Sequence, residues 1–242
     1  MTNQNWTVKS SFRRIMEIMT KTSSTATRSR LTRRGAETRA RIVGAAADLV
    51  YDQGVANTTL DEILEASGTS KSQLYHYFAD KDALIREVIT EQTRRILAGQ
   101  GELHRVDSMV GLRRWGRGMV ARTRTVRGGG GCPLGSLASE LSDQSEDARE
   151  ILVHCFEIWE AHFAEGLFAM RARAELQQDA SPEELATAIM AAIQGGLLLA
   201  QTTQSARPLE LALDMAFTYV ERHLRIDGCG ESDAANQRAL AP

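Results

Sequence analysis

Two helix-start signals that lie eleven residues apart constrain the fold of this chain more than any other feature. Thr59 and Glu62 match a Thr-x-x-Glu capping box, and Ser70 and Gln73 match a Ser-x-x-Gln box. In each box the two residues satisfy backbone N–H groups that a helix N-terminus leaves free. Gly68 stands between the boxes, where the first helix would end. The sequence therefore predicts two short helices joined by a tight turn, which is a helix-turn-helix unit.

The second of these helices uses both of its faces. Leu74, Tyr77 and Phe78 stand at i, i+3 and i+4, so they form the predicted buried stripe. The side chains on the remaining surface are Lys71, Ser72, Gln73, Tyr75 and His76. Such donors suit a DNA surface, although they would also suit a polar cleft. Because the second helix of this unit can lie in the DNA major groove, we interpret it as a recognition helix.

Helical patterns extend on both sides of the unit. Before it, five apolar residues recur at helical spacing (Ile42, Ala45, Ala46, Leu49 and Val50), and Gly54 stands where that helix would end. From about residue 95 the helices become longer, and no strand alternation is found. The fold class predicted is all-α, with an N-terminal three-helix DNA-binding domain followed by a C-terminal helical domain.

Residues 38 to 89, "TRARIVGAAADLVYDQGVANTTLDEILEASGTSKSQLYHYFADKDALIREVI", resemble the DNA-binding domain of the TetR (tetracycline repressor) family of bacterial regulators. Cap, glycine, aromatic and lysine positions all fall in register. The resemblance implies phosphate contacts by Thr59, Ser72, Tyr75, Tyr77 and Lys81, and base contacts by Lys71, Gln73 and His76. Ser70 joins this DNA-binding set as the cap of the recognition helix. Two positions depart from the family pattern: Ser72, where many members carry glycine, and the acidic Asp61.

Two of these assignments have alternatives. Tyr77 also belongs to the apolar stripe, and a packed tyrosine with its hydroxyl reaching outwards satisfies both interpretations. His76 could instead be a surface or capping histidine.

Charge is distributed unevenly along the chain. The net charge is only −2, but residues 1–41 hold ten Lys or Arg against two Glu, a local net charge of +8. Such an arm can attract phosphates, or it can be a flexible charged tail. We predict a disordered basic arm at 1–33, with Met1, Met16 and Met19 as alternative starts. A DNA-binding domain at 34–84, an effector-binding and dimerisation domain at 85–226 and a disordered tail at 227–242 are predicted to follow.

Cysteine usage and hydropathy indicate the compartment. Cys132, Cys155 and Cys229 have no metal-ligand spacing, and no secretory segment opens the chain. The run from Leu185 to Ala200 falls short of the roughly 20 apolar residues that a membrane span needs. We predict a reduced, cytoplasmic protein with no metal or other cofactor and no membrane partner.

The resemblance implies that the second domain encloses a small-molecule pocket. The predicted pocket residues are Trp115, Met119, Cys132, Phe156, Trp159 and Phe163. Phe156, Trp159 and Phe163 share one helix face, a pattern that is also typical of a core. Cys132 stands at a helix start, where a thiol pKa can be lowered, so it is either a redox or electrophile sensor or a packed residue.

The last two helices are long and apolar. Ser181 and Pro182 begin the first, and Leu209, Leu213 and Phe217 lie along one seam of the second. Two such helices resemble half of a four-helix bundle completed by a second subunit, and the family resemblance implies the same homodimer.

These features predict a repressor that a small-molecule effector releases from a palindromic, double-stranded DNA operator. The alternative is a thiol-based sensor that acts through Cys132. An enzyme would need Cys132 together with His154 or His162 and an acid, and no motif places these residues together. We therefore do not expect an enzyme.

Overall fold

The computed structural model describes residues 31–99, 105–127 and 129–225. Within these ranges the chain forms nine α-helices and no strand, apart from one isolated bridge between Leu176 and Leu224. The helices are α1 Arg33–Asn57, α2 Leu60–Ser67, α3 Lys71–Tyr77, α4 Lys81–Gly99, α5 Met109–Thr125, α6 Pro133–Leu141, α7 Glu146–Ala172, α8 Pro182–Thr203 and α9 Arg207–Glu221. The all-α prediction is confirmed. The predictions for the basic arm up to residue 30, its alternative starts and the tail from residue 226 lie outside the described residues.

The first three helices share one core. α1 begins at the N-cap Thr32, whose hydroxyl accepts the Gly35 N–H at 3.2 Å. The buried stripe of α1 packs against Ile63 of α2, against Leu74 of α3 and against Phe78, which is the C-cap of α3. Burial of these three large side chains fixes the angle between α2 and α3, so the helix-turn-helix depends on α1 as its support.

α4 connects the two parts of the chain. It runs unbroken through the predicted domain boundary between residues 84 and 85. Gln92 of α4 is buried and donates to the Ala47 carbonyl of α1 at 2.7 Å. On its other side, α4 places Arg86 3.6 Å from Asp147 of α7. The two parts of the molecule therefore share α4.

The C-terminal helices pack closely where glycine allows it. A β-carbon at Gly116 of α5 would lie 2.6 Å from the Phe217 ring of α9, and one at Gly196 of α8 would lie 2.9 Å from the Leu209 α-carbon. The close approach at Gly196 therefore joins α8 to α9. α6 packs through a stripe of three leucines, since Leu134, Leu137 and Leu141 are all buried.

α8 is the helix whose hydropathy raises the question of a membrane. Over its most apolar window the mean hydropathy is 1.4, which by length and composition suffices to cross a bilayer. Core helices of globular proteins meet the same criterion, and α8 packs against α7 and α9. The hydropathy of α8 is therefore weak support for a membrane span.

Candidate DNA-binding interface

Both capping boxes close as predicted. The Thr59 hydroxyl accepts the Glu62 N–H at 3.3 Å, and the Glu62 carboxylate accepts the Thr59 N–H at 2.8 Å. The hydrogen bonds that this carboxylate accepts from the Thr59 N–H and the Thr59 hydroxyl lower the pKa of the Glu62 carboxyl, with a smaller contribution from Gln53. Gly68 then ends α2 in the left-handed region, at φ 61°, a conformation that favours glycine. Local sequence therefore specifies where α2 begins and where the turn after it lies.

The second box positions Gln73. The Gln73 amide oxygen accepts the Ser70 N–H at 2.9 Å, while the Ser70 hydroxyl accepts the Gln73 N–H at 3.3 Å. Pairing with adenine uses both the oxygen and the NH₂ group of a glutamine. Here the oxygen already holds the helix cap, so Gln73 must share that oxygen to read adenine. Its base contact stays a prediction.

One face of α3 is anchored and the other is open. Leu74 and Phe78 are buried and Tyr77 is half-buried, as the stripe predicted. The exposed residues on the open side are Lys71, Ser72, Gln73, Tyr75 and His76. The Tyr77 hydroxyl lies 3.4 Å from the position that a β-carbon of Gly35 would take. Tyr77 thus packs between α3 and α1 with its hydroxyl at the N-terminal end of α1.

Two predicted phosphate ligands have partners within the protein. Lys81 donates from Nζ to the Val55 carbonyl at 2.8 Å, and the Thr59 hydroxyl donates to Glu62 at 2.7 Å. A lysine ammonium has three N–H donors, so this bond leaves two for a phosphate. Both phosphate contacts remain predictions, but Lys81 also has a structural role that the sequence did not indicate.

A groove of about 240 Å³ runs between α2 and α3. It is lined by Leu60, Asp61, Leu64, Lys71, Leu74 and Tyr75. The sequence marked Asp61 as a departure from the family pattern but did not predict that it lines the same groove as Lys71. An Asp in a base-reading position can accept from the amino group of cytosine. This groove therefore combines an acceptor and a donor on the surface predicted to meet DNA.

The predicted effector residues lie in the C-terminal helices. Trp115, Met119, Cys132, Trp159 and Phe163 are buried, and Phe156 is half-buried against the core. The rings of Trp115 and Phe163 meet edge to face. The Trp115 Nε1 is buried and has no hydrogen-bond partner among the described residues. Burial fits the core alternative for these aromatic residues, while the unpaired donor gives Trp115 a group that a ligand could use.

Cys132 is the N-cap of α6, at the predicted position. Burial raises the pKa of its thiol and outweighs the hydrogen bonds from Gly135, Gln194 and Leu134, which act in the opposite direction. Of the two alternatives stated for Cys132, its burial favours the packed residue, because tertiary packing removes water from a thiol that the local sequence places at a helix start. A raised pKa disfavours the thiolate that the sensor alternative needs.

The two histidines of the enzyme alternative have other surroundings. His154 contacts Glu157 through Nδ1 at 3.2 Å, and its buried Nε2 has no partner among the described residues. Burial lowers the pKa of His162. Neither observation builds a catalytic group around Cys132. The ranges described also hold no group of three or more His, Cys, Asp or Glu that could bind a metal.

Comparison with known proteins finds a matching family model for each half of the chain. The family model "Bacterial regulatory proteins, tetR family" matches residues 42–88. The model "Transcriptional regulator LmrA/YxaF-like, C-terminal domain" matches residues 109–215. The first match includes α2, α3 and the turn between them, and the second includes α6 and α8.

Individual relatives agree with these matches. An uncharacterised HTH-type transcriptional regulator from Lactococcus lactis subsp. lactis is 31% identical over 194 residues, covering 76% of this chain and 94% of the relative. The HTH-type transcriptional repressor DhaR of Mycobacterium sp. (strain GP1) is 24% identical, over 74% of this chain and 90% of its own. A TetR transcriptional regulator from Chloroflexus aurantiacus J-10-FL has a similar crystal structure, with a TM-score of 0.67, 26% identity and coverage of 81% of this chain and 100% of its own.

Proposed function

Because the chain belongs to the TetR family of bacterial regulatory proteins, we propose that it is a homodimeric repressor that a small-molecule effector releases from a palindromic operator. The exposed face of α3 is the observation that carries the DNA-binding part of this proposal. That face presents Lys71, Tyr75 and His76 on a helix whose opposite side is anchored by Leu74 and Phe78. A recognition helix needs this combination of rigid support and open donors.

The residues of the interface divide into two roles. Lys71, Gln73 and His76 approach base edges, Ser70 caps the recognition helix, and the groups assigned to phosphates are Thr59, Ser72, Tyr75, Tyr77 and Lys81. Phosphate contacts set register and much of the affinity, whereas base contacts set specificity. Asp61, in the groove beside Lys71, joins the base-reading set as an acceptor.

The dimer forms through α8 and α9. Five large apolar side chains of these helices are exposed: Leu198 at 62%, Leu199 at 54%, Leu211 at 51%, Met215 at 68% and Tyr219 at 45%. Large apolar side chains exposed on two helices that pack together indicate an interaction site. A second copy of the chain would cover it and set the two recognition helices about one DNA turn apart, roughly 34 Å.

The effector binds among the C-terminal helices, near Trp115. Its unpaired Nε1 is a buried donor, and an effector that carries a hydrogen-bond acceptor would satisfy it. The repressor name of DhaR supports repression as the direction of control. A regulator of this kind works in the cytoplasm, where the DNA is.

In vitro selection from a random DNA library with the full-length protein tests the proposal. We expect enrichment of a palindrome whose half-sites are about one helical turn apart. Lys71→Ala should then weaken binding to the enriched duplex at least tenfold, whereas Arg222→Ala, which removes an exposed charge at the end of α9, should not change it. Failure of the wild-type protein to enrich any sequence would refute the proposal.

A further inference from the structure

A turn interrupts the end of α1, so two backbone N–H groups lose their helical hydrogen-bond partners. Gly54 has φ 81° and ψ 167°, so the helical hydrogen-bond pattern breaks at this residue. The N–H groups of Val55 and Ala56 follow the break. The buried Thr58 closes the turn, because its hydroxyl donates to the Gly54 carbonyl at 2.7 Å.

A carboxylate from α6 binds this turn. Glu140 Oε2 accepts the Val55 N–H at 2.8 Å and the Ala56 N–H at 3.3 Å. The other carboxylate oxygen lies 2.8 Å from the position that a β-carbon of Gly54 would occupy. A glycine is therefore required at position 54 for two reasons: the backbone has a positive φ, and the Glu140 carboxylate lies where a β-carbon would be.

The same peptide is held from its other side. Lys81, at the start of α4, donates to the Val55 carbonyl at 2.8 Å. Only Thr58 separates the end of α1 from Thr59, the N-cap of α2. The position of the turn therefore sets where the helix-turn-helix begins.

The opposite end of α6 reaches a helix of the proposed dimer interface. In its first turn, a β-carbon at Gly135 would lie 2.7 Å from the Gln194 Oε1 of α8. The preceding Gly131 lies against Gln201, also on α8. α6 has nine residues, so it spans about 13 Å from α8 to the turn in α1.

We propose that Glu140 is a positioning residue, which fixes the helix-turn-helix relative to α8 and thereby sets the half-site spacing that the dimer accepts. This inference rests on the proposed function. A change in the C-terminal helices that displaces α6 would withdraw the carboxylate from the Val55 and Ala56 N–H groups and free the start of α2. Glu140 needs no contact with DNA for this role.

The property to measure is spacing tolerance, which is the affinity for duplexes with altered half-site spacing relative to the selected palindrome. A general loss of stability would lower the affinity for all duplexes alike and would leave this ratio unchanged. The full-length protein would be tested by mobility shift on the selected palindrome and on duplexes with one or two base pairs inserted between the half-sites. Each inserted pair moves the half-sites apart by about 3.4 Å and rotates them by about 35°. The variants are Glu140→Ala, Glu140→Asp and Glu140→Gln, with Asp143→Asn as a control that removes a neighbouring negative charge just after α6.

We expect wild type and Asp143→Asn to lose at least tenfold in affinity on the inserted duplexes. Glu140→Ala should lose less than about threefold, and Glu140→Gln should regain the wild-type preference because its amide oxygen can still accept. Amide hydrogen exchange at Val55 and Ala56 should be faster in Glu140→Ala than in wild type.

Wild-type spacing preference in Glu140→Ala would overturn the inference, whatever its melting temperature. If that variant does not fold or bind, Glu140→Asp decides by the same criterion, because its shorter side chain keeps the charge but withdraws the carboxylate. Failure of the wild-type protein to select any DNA sequence would count against the proposed function. An unchanged spacing preference in Glu140→Ala, or in Glu140→Asp where that variant decides, would count only against the role of Glu140.

Discussion

The Trp115 indole meets the Phe163 ring edge to face, with the ring centroids 5.0 Å apart and the ring planes at 78°. Phe163 is fully buried and Trp115 is 3% exposed, so this pair joins α5 to α7 in the centre of the C-terminal core. An indole at such a place ordinarily donates its N–H to a partner, and here Nε1 has none among the described residues. The pair thus combines close packing with one unused donor.

Replacing Trp115 by Phe tests how that donor contributes to stability. The change removes about 1 kcal/mol of apolar packing, and it also removes an unsatisfied N–H whose burial costs roughly 1–3 kcal/mol. We expect the two effects to offset each other, so that urea unfolding gives a free energy within about 1 kcal/mol of wild type. Trp159→Ala, at a residue that is 2% exposed, should instead cost about 3–5 kcal/mol. A comparable loss in Trp115→Phe would mean that the indole N–H has a partner.

Gln73→Glu separates the capping role of this residue from its role on DNA. Glutamate keeps the oxygen that accepts the Ser70 N–H, and a negative charge is favoured in the first turn of a helix. Thermal unfolding should therefore be unchanged or slightly raised. DNA affinity should fall at least tenfold on the selected palindrome, because the NH₂ donor is lost and a negative charge faces the phosphates. Glu65→Gln, on the exposed surface of α2, is the control for altered charge.

The helix-turn-helix could be predicted from the sequence because the residues that begin and end its helices lie close together in the chain. Both capping boxes and the glycine between them act within four residues, so Thr59, Gly68 and Ser70 could be read directly. The buried stripe of α3 followed from helical spacing for the same reason. These contacts depend little on the rest of the chain.

The features that the sequence did not predict depend on contacts between distant segments. Glu140 binds backbone groups some 85 residues away, and nothing in the sequence around Gly54 indicates a carboxylate there. Cys132 is buried at the end of α6 that lies against Gln194 and Gln201 of α8, which a helix-start pattern does not reveal. Lys81 was matched to a family position, and its bond to the Val55 carbonyl became visible only in the folded chain.

Lys81→Ala should affect both DNA binding and stability. Loss of one phosphate contact should weaken binding to the palindrome and to random DNA alike, and it should reduce the salt slope by about one unit. Loss of the bond to Val55 should also lower the free energy of unfolding by about 0.5–1.5 kcal/mol. Lys71→Ala, on the exposed face of α3, should weaken DNA binding without the loss of stability. An unchanged salt slope in Lys81→Ala would restrict Lys81 to its structural bond.

Met215→Glu tests the proposed dimer face. Met215 is 68% exposed on α9, so a glutamate there is harmless to a monomer but would be buried in a dimer without a partner charge. We expect sedimentation to show a monomer that binds the palindrome at least tenfold more weakly. Val110→Glu is the matched control, because Val110 is 65% exposed on α5, outside that face. A Met215→Glu protein that remains dimeric would exclude this face as the interface.

Glu62→Gln should reveal how the first capping box depends on pH. The bonds from Thr59 hold the pKa of the Glu62 carboxyl below its ordinary value of 4.5. A carboxyl whose pKa is lower in the folded state stabilises the fold above the unfolded pKa, and this contribution disappears as the pH falls through the folded pKa. In urea titrations, wild type should therefore exceed Glu62→Gln in midpoint by a constant amount from neutral pH to about pH 5. The difference should then shrink as the pH falls further below 4.5. Glu65→Gln, on the same helix, controls for the loss of a negative charge. A difference between wild type and Glu62→Gln that persists at pH 3 would show that the capping box does not depend on the ionised carboxylate.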